Sequence, residues 1–190
     1  MRALVMHLRV PSFHLETTTA ILLRRTKLTE TSLILTWLTR DFGRLKTVAK
    51  GARSRKSQFA GVVDLFFACE ISYVRSARSD LHALREVHLL ETHSEIRFDY
   101  RRLALASYFA ELLELVTEAE HALPELYDLL QRALGFLNAN PASKRALLHF
   151  EKELVTHLGI QQVDIPPATA LARAYHALPR SRLAVAQGLS

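Results

Sequence analysis

The sequence predicts an α+β architecture in two parts, a small curled antiparallel β-sheet over residues 17–96 followed by an all-helical region over residues 97–190. Three observations lead there. Five short apolar or alternating runs precede Glu95, the 3.6-residue period of helices begins after Phe98, and the gaps between the early runs are too short for helical crossovers. With 190 residues and 49% hydrophobic composition, the chain can bury a core and carry one domain or two small ones. Residues 1–16 place His7, Arg9 and Pro11 where a leader would need apolar side chains, and read as an N-terminal extension.

Thr18–Thr26 mixes β-branched and aliphatic residues, the polar KLTE follows, and TSLILTWLT gives a second strand after a tight connection. Asp41, Phe42 and Gly43 turn the chain into a third strand, which Gly51 ends, and a loop runs on to Gly61. In DLFFACEISYV, Leu65, Phe67, Cys69, Ile71 and Tyr73 share one parity while Glu70 and Ser72 take the other, as in a half-buried antiparallel strand. The polar turn RSARSD leads to a fifth strand, LHALREVHLLETH. Five such strands avoid open edges by closing into a barrel, and the OB-type barrel is the economical form. Beyond it, Asp99 caps a helix whose face is Leu105, Tyr108, Phe109, Leu112, Leu113 and Val116. Pro124 opens a second helix, ended by Asn138–Asn140, and Pro141 a third, stopped by Gly159. Pro166 and Pro167 begin a fourth, and Ser181 caps a last one.

Charge points to function. Arg40–Lys56 holds seven cations against one carboxylate, Asp41. On a strand, Arg44, Lys46 and Lys50 share one face with Val48, and side chains two residues apart lie about 6.6 Å from each other, which suits successive phosphates of an extended polyanion. Arg53, Arg55 and Lys56 follow in the loop. The same run also reads as a solvated charge run. Net charge is +6, and residues 1–96 carry 15 Lys/Arg against 9 Asp/Glu while the rest balance at 10 each. One-sided charge without a basic amphipathic helix favours nucleic acid over membrane. Barrels of this type bind single strands through a basic groove and aromatic platforms. Trp37 and Tyr73 share parity with core residues, whereas Phe42 and Phe59 flank the basic segment and are the stacking candidates.

Other chemistries lack their residues. KGARSRKS has no GK[ST] ending, no G-x-S-x-G elbow occurs, and the single Cys69 excludes an internal disulfide and fits a reducing cytoplasm. Glu118 with His121, and His149, Glu153 and His157, have helical metal-ligand spacings, but solvated surface accounts for them. His82, His88 and His93 read as surface or edge residues, and Glu111, Glu114 and Glu118 as a solvated helix face. No metal, cofactor or catalytic residue is expected.

The run AILLRRTKLTETSLILTWLTRDFGRLKTVAKGARSRKS, then DLFFACEISYV, then YRRLALASYFAELLEL and LLHFEKELVTHLGI, resembles the bacterial RecO family of recombination mediators and DNA repair proteins. Its most specific elements are Glu30–Ser32, the Thr39–Gly43 turn followed by Arg44, and VAKGAR with Ser57 after it. The resemblance implies an N-terminal OB fold joined to a helical domain, and a nucleoid-associated, non-enzymatic cytoplasmic protein. It implies binding of single- and double-stranded DNA, annealing of complementary strands, engagement of the acidic tail of single-stranded-DNA-binding protein (SSB), and loading of RecA together with RecR. Many members carry a zinc-binding cysteine cluster in the C-terminal domain; no cysteine follows Cys69, so zinc is not expected.

Two readings result. In the first, Arg44, Lys46, Lys50, Arg53, Arg55 and Lys56 neutralise phosphates, and Arg24, Arg25, Lys27, Arg75 and Arg78 extend the footprint. In the second, the helical domain is an adaptor that docks a protein tail between helices beside Arg132, Lys144 or Arg145, and DNA contact is incidental.

Overall fold

The apolar run Ala20–Leu23 is continuous because its strand is buried on both sides: Ala20 and Leu22 join the barrel interior, while Ile21 and Leu23 pack with the helices. The computed structural model describes residues 15–189, and the extension expected at residues 1–16 lies outside them except for Leu15 and Glu16, which begin a strand. The strands are β1 (Leu15–Lys27), β2 (Leu33–Thr39), β3 (Gly43–Ala49), β4 (Ala68–Val74) and β5 (Leu81–Glu91). They form a closed barrel in the order β1-β2-β3-β5-β4, so no edge is left open. Four of the pairings are antiparallel; β3 and β5 are parallel, with Lys46 opposite Leu81 and Val48 opposite Ala83. This is the OB-type topology. Trp37 and Tyr73 are fully buried, and the Trp37 indole N–H donates to Thr47 Oγ1 at 2.9 Å inside the barrel.

A single 3₁₀ turn, Ser94–Phe98, leads into α1 (Tyr100–Val116). The Asp99 carboxylate accepts from the amides of Arg101 and Arg102 at 2.8 and 3.1 Å, so the expected cap is formed. Next come α2 (Pro124–Ala139), α3 (Lys144–His157), α4 (Pro167–Tyr175) and α5 (Ser181–Gly188). The third helix starts later than Pro141 suggests, because the Ser143 hydroxyl caps it by accepting from the Ala146 amide. Ser181 lies inside α5 and not at its cap; its hydroxyl donates to the Glu111 carboxylate. Gly159 takes a φ of +66° after α3, the left-handed stop expected there.

One apolar cluster runs from the outer face of the barrel into the helices, joining Ile21, Leu23, Leu38, Phe66 and Ala68 to α1, α2 and α3. Phe109 stacks on Phe150 at 3.9 Å within it. The buried Glu151 accepts from Tyr108 Oη and from Arg182 Nε, each at 2.7 Å, and so ties α1, α3 and α5 together. A backbone seam adds to this: the Arg44 amide donates to the Glu118 carbonyl and the Glu120 amide to the Arg44 carbonyl, laying residues 118–120 along the start of β3.

Several histidines and glutamates sit elsewhere than expected. His82 and His93 are buried, at 1% and 3% exposure, because each ring serves the backbone: His82 Nδ1 accepts from the Ser76 amide, and His93 Nδ1 donates to the Phe66 carbonyl. Glu111 and Glu114 are half-buried against α5 and β1 and not solvated. Among the described residues, no helix is long and apolar enough to cross a membrane.

Candidate nucleic-acid interface

Alternation in β3 sets the geometry. Leu45, Thr47 and Ala49 are buried in the barrel, and Arg44, Lys46 and Val48 face outward, as the parity predicts. The structure uses these cations differently. Arg44 is turned inward to the helices: its guanidinium donates to the Glu114 carbonyl at 2.7 Å, and its Nε is buried. Lys46 pairs with Asp80 at 3.2 Å across the turn before β5, and both groups remain about half exposed. That contact holds the Asp80 carboxyl below its ordinary value.

Beyond the strand, Gly51 takes a φ of +70°, and the chain enters the loop that carries Arg53, Arg55 and Lys56. Arg53 braces this loop, donating to the Thr29 and Glu30 carbonyls of the β1–β2 turn. Lys50, Arg55 and Lys56 are exposed, and no side-chain partner reaches them among the described residues. Arg78 is likewise exposed and free, in the turn after β4.

The peripheral cations are committed to carboxylates. Arg24 pairs with Glu114 at 2.8 Å, Arg25 with Asp64 at 2.9 Å, and Lys27 with Glu30. Arg75 is held between Glu16 and Glu120. The Arg75 guanidinium keeps the Glu16 carboxyl below its usual range, outweighing the opposing effect of burial. Phe59 is 2% exposed within the barrel core, so its ring has no free face for a base; the loop folds back and uses it as a plug. Phe42 is half-buried, edge-on to Tyr73 at 6.3 Å and beneath the Arg75 guanidinium at 5.7 Å. Burial pushes the Cys69 thiol up to about 12, so it stays protonated.

The helical half has its own recess, a groove of about 580 Å³ between α2 and α3. Phe109, Ala133, Phe136 and Phe150 give it an apolar floor, with Arg132 and Arg145 among its lining residues. Lys144 is exposed next to Arg145 but does not line it. His149 and Glu153 do line it, whereas His157 does not. Among the described residues, no group of three or more His, Cys, Asp or Glu side chains is placed to hold a metal ion.

Two family models match in tandem. The one described as "Recombination protein O N terminal" covers residues 13–93, the barrel, and "Recombination protein O C terminal" covers residues 97–162, the first three helices. The chain belongs to the RecO family. It is 34% identical over 140 residues to the DNA repair protein RecO of Rhodopirellula baltica, a match covering 74% of this chain and 52% of the relative. To the RecO of Anaeromyxobacter sp. it is 37% identical over 135 residues, covering 70% and 52%. To that of Anaeromyxobacter dehalogenans it is 31% identical over 155 residues, covering 82% and 59%. The chain thus spans about half the length of the curated RecO relatives it matches.

Within this RecO-family barrel, Arg85 is a further candidate that sequence reasoning passed over. It is exposed on β5, without a side-chain partner, and Gln58 of the basic loop donates to its carbonyl at 3.1 Å. The parallel pairing of β5 with β3 brings it beside the loop. No local pattern announces that pairing, since it joins segments more than thirty residues apart.

Proposed function

We propose that this RecO-family chain is a non-enzymatic DNA-binding recombination mediator. It anneals complementary single strands and, with RecR, helps to load RecA onto SSB-coated DNA in the bacterial cytoplasm, at the nucleoid. Residues 17–96 serve as its DNA-binding domain and residues 97–190 as its helical domain. The observation that carries the reading is the loop after β3, where Lys50, Arg55 and Lys56 have no side-chain partner among the described residues. Arg78 and Arg85 extend this set, and Lys46 and Arg53 join it at the cost of exposed contacts. Arg44 and Arg75 contribute less, because the first is half-buried against the Glu114 carbonyl and the second is held by two carboxylates, whereas Arg24, Arg25 and Lys27, about half exposed like Lys46, each exchange a carboxylate for a phosphate. Annealing follows from the physics: cations that screen phosphates on two strands, without reading base edges, speed their encounter and leave sequence choice to base pairing.

Strand annealing at two salt concentrations, with naked and with SSB-coated strands, tests this. Annealing is expected to be accelerated at low salt and slowed as salt rises. No acceleration at low salt on naked strands contradicts the reading.

The groove between α2 and α3 supports a second role as an adaptor. An acidic peptide ending in an aromatic residue, the chemistry of an SSB tail, matches an apolar floor with Arg132 and Arg145 beside it. Such a peptide is expected to bind the whole chain, and Arg132→Ala with Arg145→Ala to weaken it at least tenfold. Loss of annealing on SSB-coated strands alone then assigns the groove to SSB.

A further inference from the structure

Barrels that hold single strands rely on rings to stack bases as well as on cations to meet phosphates. In this barrel Phe59 is a buried plug and Phe42 is half covered, so the rings are not where the basic loop begins. Two others are open. Phe98 and Tyr100 are 79% and 83% exposed, one on each side of Asp99, whose carboxylate is occupied in capping α1.

The far end of the basic loop is tied to the same place. Asp64, near the end of that loop, meets Arg25 at 2.9 Å and Arg97 at 3.1 Å, and the Arg97 guanidinium lies over the Phe67 ring at 5.3 Å. Two guanidiniums sharing one carboxylate leave an excess positive charge there, with Arg97 the residue before Phe98 in the chain. Arg101, exposed with a free side chain, adds to it one residue beyond Tyr100. Glu95 is the exposed carboxylate of the adjoining turn.

We propose that Phe98 and Tyr100 are base-stacking platforms for single-stranded nucleic acid. Its backbone follows the basic loop from Lys50 past Asp64 to Arg97 and Arg101. This rests on the DNA-binding reading above and adds to it the class of strand preferred, since only unpaired bases offer their faces to a ring. Arg97 and Arg101, which flank the two rings along the chain, match a polyanion, where an apolar protein partner would leave them unmatched.

The 190-residue chain carrying Phe98→Ala and Tyr100→Ala, checked for unchanged circular dichroism, is titrated with labelled oligothymidine and with a duplex of equal length. Affinity for the single strand is expected to fall about tenfold or more. Duplex affinity stays within about twofold, and the salt dependence keeps its slope because no phosphate contact is lost. In a Phe98→Trp chain, oligothymidine is expected to quench the new indole and duplex is not. Unchanged single-strand affinity, which is also the outcome if the rings dock a protein, overturns the proposal; so does an equal loss on duplex. A parent chain that binds no oligothymidine overturns the DNA-binding reading itself, a different result from binding that ignores the rings.

Discussion

Glu151 has no exposed surface, and among apolar side chains its two carboxyl oxygens are met by Tyr108 and Arg182, which donate to it. Removing Arg182 strands that carboxylate. Arg182→Ala is therefore expected to lower the unfolding free energy by about 3–5 kcal/mol in urea titration. Glu16 gives a pH-dependent contribution of definite sign. Its carboxyl is depressed by Arg75, so the stability it adds is fully present above the unfolded value of 4.5 and is lost as pH falls through the folded value. Urea midpoints measured between about pH 5 and about pH 3 are expected to fall, and to fall less in Arg75→Met. At this scale the sequence was only partly legible. Outward placement of Arg44 and Lys46 was readable from parity alone. Capture of Arg44 by the Glu114 carbonyl was not, because the two are seventy residues apart and meet only after the helices dock. Phe59 misled for a related reason: flanking a basic loop looks like exposure, yet the loop returns its ring to the barrel.

Elements were read more reliably than their contacts. Each strand and helix is a local pattern, whether the alternation of β4, the Asp99 cap or the Gly159 stop. Junctions depend on partners far along the chain. The clearest is the seam between β3 and residues 118–120. Gly43 has a φ of +64°, and a Cβ there would lie 1.9 Å from the His121 carbonyl oxygen. Gly43→Ala is expected to push the segment off the strand and to cost about 2–4 kcal/mol, from left-handed strain and the displaced backbone together. Loss of hydrogen-exchange protection at the Glu120 amide, with β2 protection retained, is its expected signature. The late start of α3 at Ser143 and the place of Ser181 inside α5 show the same limit: Pro and Ser mark helix beginnings only to within a few residues.

Across the whole molecule, the barrel and the helices share one apolar cluster, so neither is expected to melt alone. Trp37, the single tryptophan, reports on the barrel and the 222 nm ellipticity on the helices. Their urea transitions should coincide. This coupling also bears on the proposed function, because the one cluster holds the barrel that carries the basic loop and the helices that line the α2–α3 groove in a single body. The central claim is that the loop after β3 neutralises phosphates. It is tested most directly by the salt dependence of single-strand binding. Each phosphate neutralised on a single strand contributes roughly −0.7 to the slope of log K against log salt, so replacing the free cations Lys50, Arg55 and Lys56 by Ala is expected to flatten it by roughly 2.1. A slope that the triple substitution leaves unchanged contradicts the account.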